Sequence, residues 1–228
     1  MPASLEAPDY TTMSKRGNGL TVDLECKYSG GSINIAIDSS GVRVHSSQEW
    51  SQVKHRKKDK KKWLKVHIAV DAQNGEIKAS SVTGTTQSDS SQVQVLLEQI
   101  QAPINTVFAD GAYDRNSTFD AIKKYPQDND ITVVIPPIKT ASLPDESRSD
   151  LTQREQHILY LSKNIRDKWS SKFRYGQREK SEGVFSRLKT AFGERLSSQN
   201  FSLQKLEIHL KIKLLNQMNE LYTEGFAR

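Results

Sequence analysis

Three carboxylates stand where they could work together on a phosphate ester. Asp38 follows the alternating stretch Ser32–Ile37, Asp110 ends the apolar run Ile104–Ala109, and Glu182 lies in a helical pattern over Arg174–Ser197. Two-ion phosphoryl chemistry needs hard oxygen ligands: one Mg²⁺ activates water or a 3′-hydroxyl, and the other steadies the leaving oxygen. Each acid also has a plainer reading. Asp38-Ser39-Ser40-Gly41 is good turn chemistry. Asp110-Gly111 also suits a turn, although a charge beside buried apolar residues is costly unless paired or liganded. On a helical wheel Glu182 projects within about 60° of Tyr175, Arg178 and Lys189. Taken by itself, such a stripe reads better as a solvated face with i,i+4 pairs. By residue type and spacing, both readings stand.

Other groups compete less well. Asp71 ends a strand, but Asn74-Gly75 makes it hairpin-flanking, and Asp114 is a candidate helix cap. Glu179 points about 60° away from Glu182 on the wheel. His67 alternates within a strand pattern, where a lone histidine is structural more often than liganding, and no His/Cys cluster suits zinc. No Walker loop, GxGxxG or GxSxG occurs.

The elements that must position these acids follow from periodicity. Ile33, Ile35 and Ile37 alternate with small or polar residues, which predicts a strand ending before a turn at Ser39–Gly41 and a short return over Val42–His45. Trp63–Val70 alternates again, Asn74-Gly75 signals a two-residue hairpin, and Glu76–Val82 returns. Helical spacing predicts helices over Ser88–Gln101, Asp114–Lys124, Leu151–Ser170 and Arg174–Ser197. Leu203–Tyr222 predicts a final amphipathic helix with Leu206, Leu210, Leu214 and Met218 as its apolar stripe. Ile104–Ala109 and Ile131–Ile135 are compact strands, the second stopped by Pro136-Pro137. Antiparallel strands followed by strand–helix–strand crossovers predict an α/β fold. It has a mixed sheet flanked by helices, in the element order of a ribonuclease H-like domain.

Composition narrows the class. The chain has 228 residues, 35 % hydrophobic and 26 % charged, with one cysteine. Mean hydropathy is −0.66. It holds no apolar run near the roughly 20 residues of a membrane span, no secretory leader pattern and no disulfide framework, which fits a reducing cytoplasm. The net charge of +6 is concentrated: Lys54, Arg56, Lys57, Lys58, Lys60, Lys61, Lys62 and Lys65 stand against one acid, Asp59. That run is either a solvated loop or a set of phosphate contacts.

Tyr175, Arg178, Glu182 and Lys189 also fit the spacing Y-x2-R-x3-E-x6-K. This resembles the signature of bacterial insertion-sequence transposases of the DDE type. The resemblance extends to Asp-Ser-Ser-Gly at Asp38, WLKVHIAVDAQNG at Trp63–Gly75, FADGAYD around Asp110, VIPP at Val134–Pro137 and LLNQM at Leu214–Met218. It implies a ribonuclease H-like catalytic domain with Asp38, Asp110 and Glu182 as the acidic triad, holding two Mg²⁺ ions, with Mn²⁺ as a substitute. It implies that Tyr175, Arg178 and Lys189 hold DNA, and the basic run Lys54–Lys62 would join them. The expected partners are insertion-sequence ends and target DNA, with a homodimer on paired ends, no membrane, and a bacterial, nucleoid-associated setting in the cytoplasm. The expected reaction is cleavage at the element's end followed by strand transfer. Similar proteins usually carry a helical N-terminal region, whereas this match begins near Pro8. The expectation is therefore an arm over residues 1–30 and a catalytic domain over 31–228, with an insert at about 138–172 and without that region. The alternative is a non-catalytic, DNA-binding remnant.

Overall fold

A computed structural model of the protein describes residues 7–24, 30–44 and 63–226. The basic residues Lys54, Arg56, Lys57, Lys58, Lys60, Lys61 and Lys62 lie outside them. The described residues form an α/β fold consistent with a ribonuclease H-like domain: a six-stranded mixed sheet flanked by seven helices. Helix α1 (Tyr10–Gly17) comes first. Strands β1 (Ile33–Val44), β2 (Trp63–Asp71) and β3 (Ile77–Gly84) follow, then a 3₁₀ turn (Asp89–Gln92) leading into α2 (Val93–Leu97). Next come β4 (Ile104–Ala109), a 3₁₀ turn (Gly111–Tyr113), α3 (Asn116–Lys123) and β5 (Thr132–Val134). The chain continues through α4 (Gln153–Lys163), α5 (Arg166–Lys172), a 3₁₀ turn (Tyr175–Arg178), α6 (Glu179–Phe192), β6 (Arg195–Leu196) and α7 (Phe201–Phe226). No described helix is long and apolar enough to cross a membrane.

The strand order is β3-β2-β1-β4-β5. β1, β2 and β3 are antiparallel neighbours; β4 and β5 run parallel to β1. β4 pairs with β1 only as far as Ile37↔Ala109, and β6 takes up the same edge at Arg43↔Arg195. Between these points no described strand pairs with that edge of β1. This notch opens where β4 ends, at Asp110.

The turn expected at Ser39–Gly41 does not form. β1 runs unbroken for 12 residues and stays in register with β2 from Ile35↔Asp71 to Arg43↔Trp63. Turn propensity loses because the long β2 gives the backbone a ladder partner throughout. Gly41 lets the Trp63 ring lie on the strand: a Cβ there would be 3.2 Å from Trp63 Cε3. Asp38 is thus a mid-strand residue. The hairpin after β2 is also longer than expected. Asp71 and Glu76 close it, Asp71 Oδ1 accepts from Gln73 N, and Gly75 takes φ +76°. Asp71 is hairpin-flanking, as its position predicts.

Alternation along β1 separates two cores. Ile35 and Ile37 face a layer built from Val93, Leu96, Leu97 and Ile122. Ala36 and Val42 face the opposite side, where α5, α6 and α7 pack. Asp38 shares that second face by parity. Phe108 of β4 belongs to it too, so Asp110, two residues on in extended backbone, emerges on the same side.

The final helix corrects one expectation. Its buried stripe is Gln204, Ile208, Ile212 and Leu215, whereas Leu210, Leu214 and Met218 are exposed. Both faces carry aliphatic residues, so hydrophobicity alone does not choose between them. Asn216 helps decide: its side chain accepts from Ile77 N and donates to Ile77 O, both at 2.9 Å, which satisfies the open edge of β3. Ahead of the sheet lies α1, whose Gly17 is buried with Leu203 and Leu206 at hand. The span Leu151–Ser170 is two helices. Thr152 and Glu155 form a capping box at the start of α4, and extended Asn164 ends it while its amide donates to Tyr160 O.

Candidate active site

Asp38 sits at the notch with its side chain 13 % exposed. Its Oδ1 accepts from Ser39 N at 2.8 Å and its Oδ2 from Ser181 Oγ at 3.2 Å, while Arg178 Nη1 lies 3.7 Å from Oδ2. Burial pushes its carboxyl above the usual range. The Ser39 amide, the Ser181 hydroxyl and Arg178 act against that rise, and Asp110 adds to it. The two aspartates therefore feel each other across adjacent parallel strands.

Asp110 ends β4 and caps the 3₁₀ turn behind it, accepting from Ala112 N at 2.8 Å. Gly111 passes close to the Pro136 carbonyl; a Cβ would stand 3.3 Å from that oxygen. The turn is held from the other end by Asp114. Its carboxylate receives Arg154 Nε at 2.6 Å, Arg154 Nη2 at 2.8 Å and Ile138 N at 2.9 Å. Asp114 is therefore a clamp between β4's exit and α4. The N-cap of α3 is Arg115, without a side-chain bond.

Glu182 lies in the first turn of α6, and its side chain is 57 % exposed. Arg178 Nη2 donates to Glu182 Oε1. Tyr175 and Arg178 stand in the 3₁₀ turn ahead of α6, not in a continuous helix. Arg174 breaks the pattern with φ 52°, so the helix reaches only Glu179–Phe192 of the predicted Arg174–Ser197. Tyr175 packs against Trp169 at 5.0 Å between ring centroids, and the Arg178 guanidinium sits 5.5 Å from the Tyr175 ring. Lys189 is half-buried in the last turn of α6. It stands two turns beyond Glu182, on the same side of the helix.

The structure brings Asp38, Asp110, Arg178, Glu182 and Tyr175 to the notch beside β1 where β4 ends. It does not close the three carboxylates into one cluster. Among the described residues, no group of three His, Cys, Asp or Glu side chains is arranged to hold a metal. Asp38 and Asp110 adjoin, and Arg178 stands between Asp38 and Glu182. The donor set nevertheless suits a hard divalent cation, being all carboxylate oxygen. The position bridging Asp38 and Glu182 is already taken by a cationic group, the guanidinium.

Sequence reasoning missed several neighbours. Ser181 is fully buried, and its one hydroxyl proton is shared between the Arg178 carbonyl at 2.8 Å and Asp38 Oδ2 at 3.2 Å. Its only sequence signal was a small hydroxyl beside Glu182. Behind the aspartates, Lys65 pairs with Asp89 at 2.7 Å, His67 Nε2 meets Thr83 Oγ1 at 2.9 Å, and His67 Nδ1 lies 3.4 Å from Asp89. Tyr113 is buried beside them, and its phenol is pushed up by burial and by Asp89, Asp38 and Asp110. These residues lie far apart in sequence and carry no motif.

Residues 29–217 match the family described as the transposase DDE domain. The chain belongs to that family. No solved structure matches the chain. The DDE domain makes this a nuclease-type transposase chain with DNA as its substrate, and proteins of this family generally use divalent metal ions.

Proposed function

We propose that this chain is a DNA transposase core that cuts at insertion-sequence ends and joins the freed end to target DNA. Asp38, Asp110 and Glu182 would hold two Mg²⁺ ions, which supply Lewis-acid activation of the attacking oxygen and charge for the leaving oxygen. The observation that carries the reading is the closeness of Asp38, midway along β1, to Asp110 just past the end of parallel β4, with Glu182 of α6 joined to Asp38 through Arg178. The chain's own groups do the rest. The Ser39 amide and the Ser181 hydroxyl orient Asp38, and the Asp110 carboxylate is aimed by its bond to Ala112 N. Arg178 and Lys189 would take DNA phosphates, the first as a fork and the second as a point charge, with Tyr175 beside them. A 3′-hydroxyl released by hydrolysis then attacks a target phosphodiester in line, and one diester bond forms as another breaks. Positioning and charge carry the catalysis, and no covalent protein–DNA intermediate is needed. Residues 31–228 would make the catalytic unit, with residues 1–30 as an arm on it.

The test is cleavage of a duplex carrying the element's end, with Mg²⁺, by wild type and Asp110→Asn. The variant should lose at least about a hundredfold in rate, the scale of removing one electrostatic stabiliser. Equal cleavage by both proteins overturns the assignment. Salt-dependent DNA binding with no nicking in Mg²⁺ or Mn²⁺ would select the non-catalytic reading.

A further inference from the structure

Arg178 places its guanidinium between two carboxylates of the site. Its side chain is only 17 % exposed. One terminal nitrogen donates to Glu182, the other lies 3.7 Å from Asp38 Oδ2, and Nε is buried with no hydrogen-bond partner. The Tyr175 ring backs the group at 5.5 Å. Arg178 thus bridges two carboxylates from different elements, one on a central strand and one on the flanking helix.

Two features make this placement changeable. Arg178 belongs to a four-residue 3₁₀ turn, a weaker geometry than the α-helix it feeds. That turn begins after Arg174 at φ 52° and includes Gly176, with nothing within 4 Å of its Cβ position. Arg178's partners are also incomplete, since the Asp38 contact is longer than a hydrogen bond and Nε has none. A phosphate would offer the guanidinium a planar, bidentate, charge-matched alternative.

We propose that Arg178 is a latch worked by DNA: its guanidinium holds the cation position between Asp38 and Glu182, and leaves it for a phosphate of the bound strand. The inference rests on the reading of Asp38 and Glu182 as metal ligands. A divalent ion and a guanidinium repel each other and compete for the same oxygens, so both cannot sit between these two acids. Drawing Arg178 onto DNA frees the carboxylates, and metal binding in turn frees Arg178. Linkage makes the effect reciprocal: DNA tightens metal binding by the same factor that metal tightens DNA binding. A nuclease site built this way stays closed to its ions until a strand is present.

The experiment measures Mn²⁺ affinity of the full chain by electron paramagnetic resonance of the free ion. Wild type, Arg178→Ala, Arg178→Lys and Asp38→Asn are compared, each with and without a short duplex of unrelated sequence. For wild type, duplex should tighten Mn²⁺ binding about tenfold. Arg178→Ala should bind Mn²⁺ about tenfold more tightly than wild type without DNA, and duplex should add little. Arg178→Lys, whose single ammonium cannot span both acids, should fall between them and serves if the alanine variant fails to fold. Equal or weaker Mn²⁺ binding by both Arg178 variants without DNA overturns the latch while leaving the metal site standing. If wild type and the Arg178 variants bind Mn²⁺ no better than Asp38→Asn, the metal-ligand reading fails, and the latch with it.

Discussion

Breaking the Asp114–Arg154 clamp should cost more than any surface ion pair, and unequally from its two ends. Asp114's side chain is fully buried and Arg154's is 25 % exposed. The carboxylate receives two guanidinium nitrogens and the Ile138 amide. In Arg154→Met the carboxylate keeps only one donor and stays buried, the situation that costs about 3–5 kcal/mol when a buried pair loses one partner. In Asp114→Ala the guanidinium can turn to water and only the Ile138 amide is left without its acceptor, so the loss falls to about 1–3 kcal/mol, the range of one unsatisfied buried donor. Urea unfolding of the wild type and both variants is the assay. With a slope of about 2–3 kcal/mol per molar, the Arg154→Met midpoint should fall by about 1–2 M. The Asp114→Ala midpoint should fall by less, and the double variant should resemble Asp114→Ala. Losses below about 1 kcal/mol from both ends would equate the pair with an exposed one and refute the clamp. A larger loss in Asp114→Ala than in Arg154→Met would refute the burial argument.

Two further outcomes follow from the same geometry. Ser181→Ala removes the hydroxyl that donates to Asp38 and barely changes volume, so strand cleavage should slow about five- to tenfold, near the value of one hydrogen bond. Its melting temperature should stay close to wild type, and an unchanged single-turnover rate would remove Ser181 from the site. His67 is held neutral: burial lowers its pKa from 6.5 to about 4, with Lys65 acting the same way and Asp89 against it. Its folded pKa lies below its unfolded one, so its contribution is present above about pH 6.5 and drains away as pH falls toward 4. Between pH 7 and pH 5 this histidine alone should remove about 2 kcal/mol of stability. Urea curves at both pH values should show wild type losing about that much more than His67→Gln, and parallel losses would refute the assignment.

Much of the frame was legible in the sequence. The apolar run Ile104–Ala109 forms the expected strand and delivers Asp110 at its end, because a short β-branched and aromatic run flanked by turn residues has few other outcomes. The Tyr175–Lys189 spacing singled out Arg178 and Glu182, which the fold sets in contact with each other and beside Asp38. Other features were not legible. Asp38-Ser39-Ser40-Gly41 carries real turn propensity, and only the nine-residue β2 alongside it overrides that preference. The last helix has aliphatic residues on two faces, and the packing of Ile208, Ile212 and Leu215 on the sheet, with Asn216 bonded to Ile77, decides which face is buried. The Arg174 break in the signature helix has no sequence cue, since arginine is a good helix former.

The division has a physical cause. Residue type and periodicity determined most of the order of strands and helices and which acids were available, and the ordered motifs carried the resemblance to the family, since all of these depend on local pattern and spacing. Tertiary structure decided which groups meet. It set Asp38 against Asp110 across a parallel pair, buried Ser181 beneath Asp38, clamped Asp114 with Arg154, and laid Arg178 between Asp38 and Glu182. Those contacts join residues up to 143 positions apart. No local pattern encodes them, because they arise only when strand register and helix packing bring distant segments of the chain together.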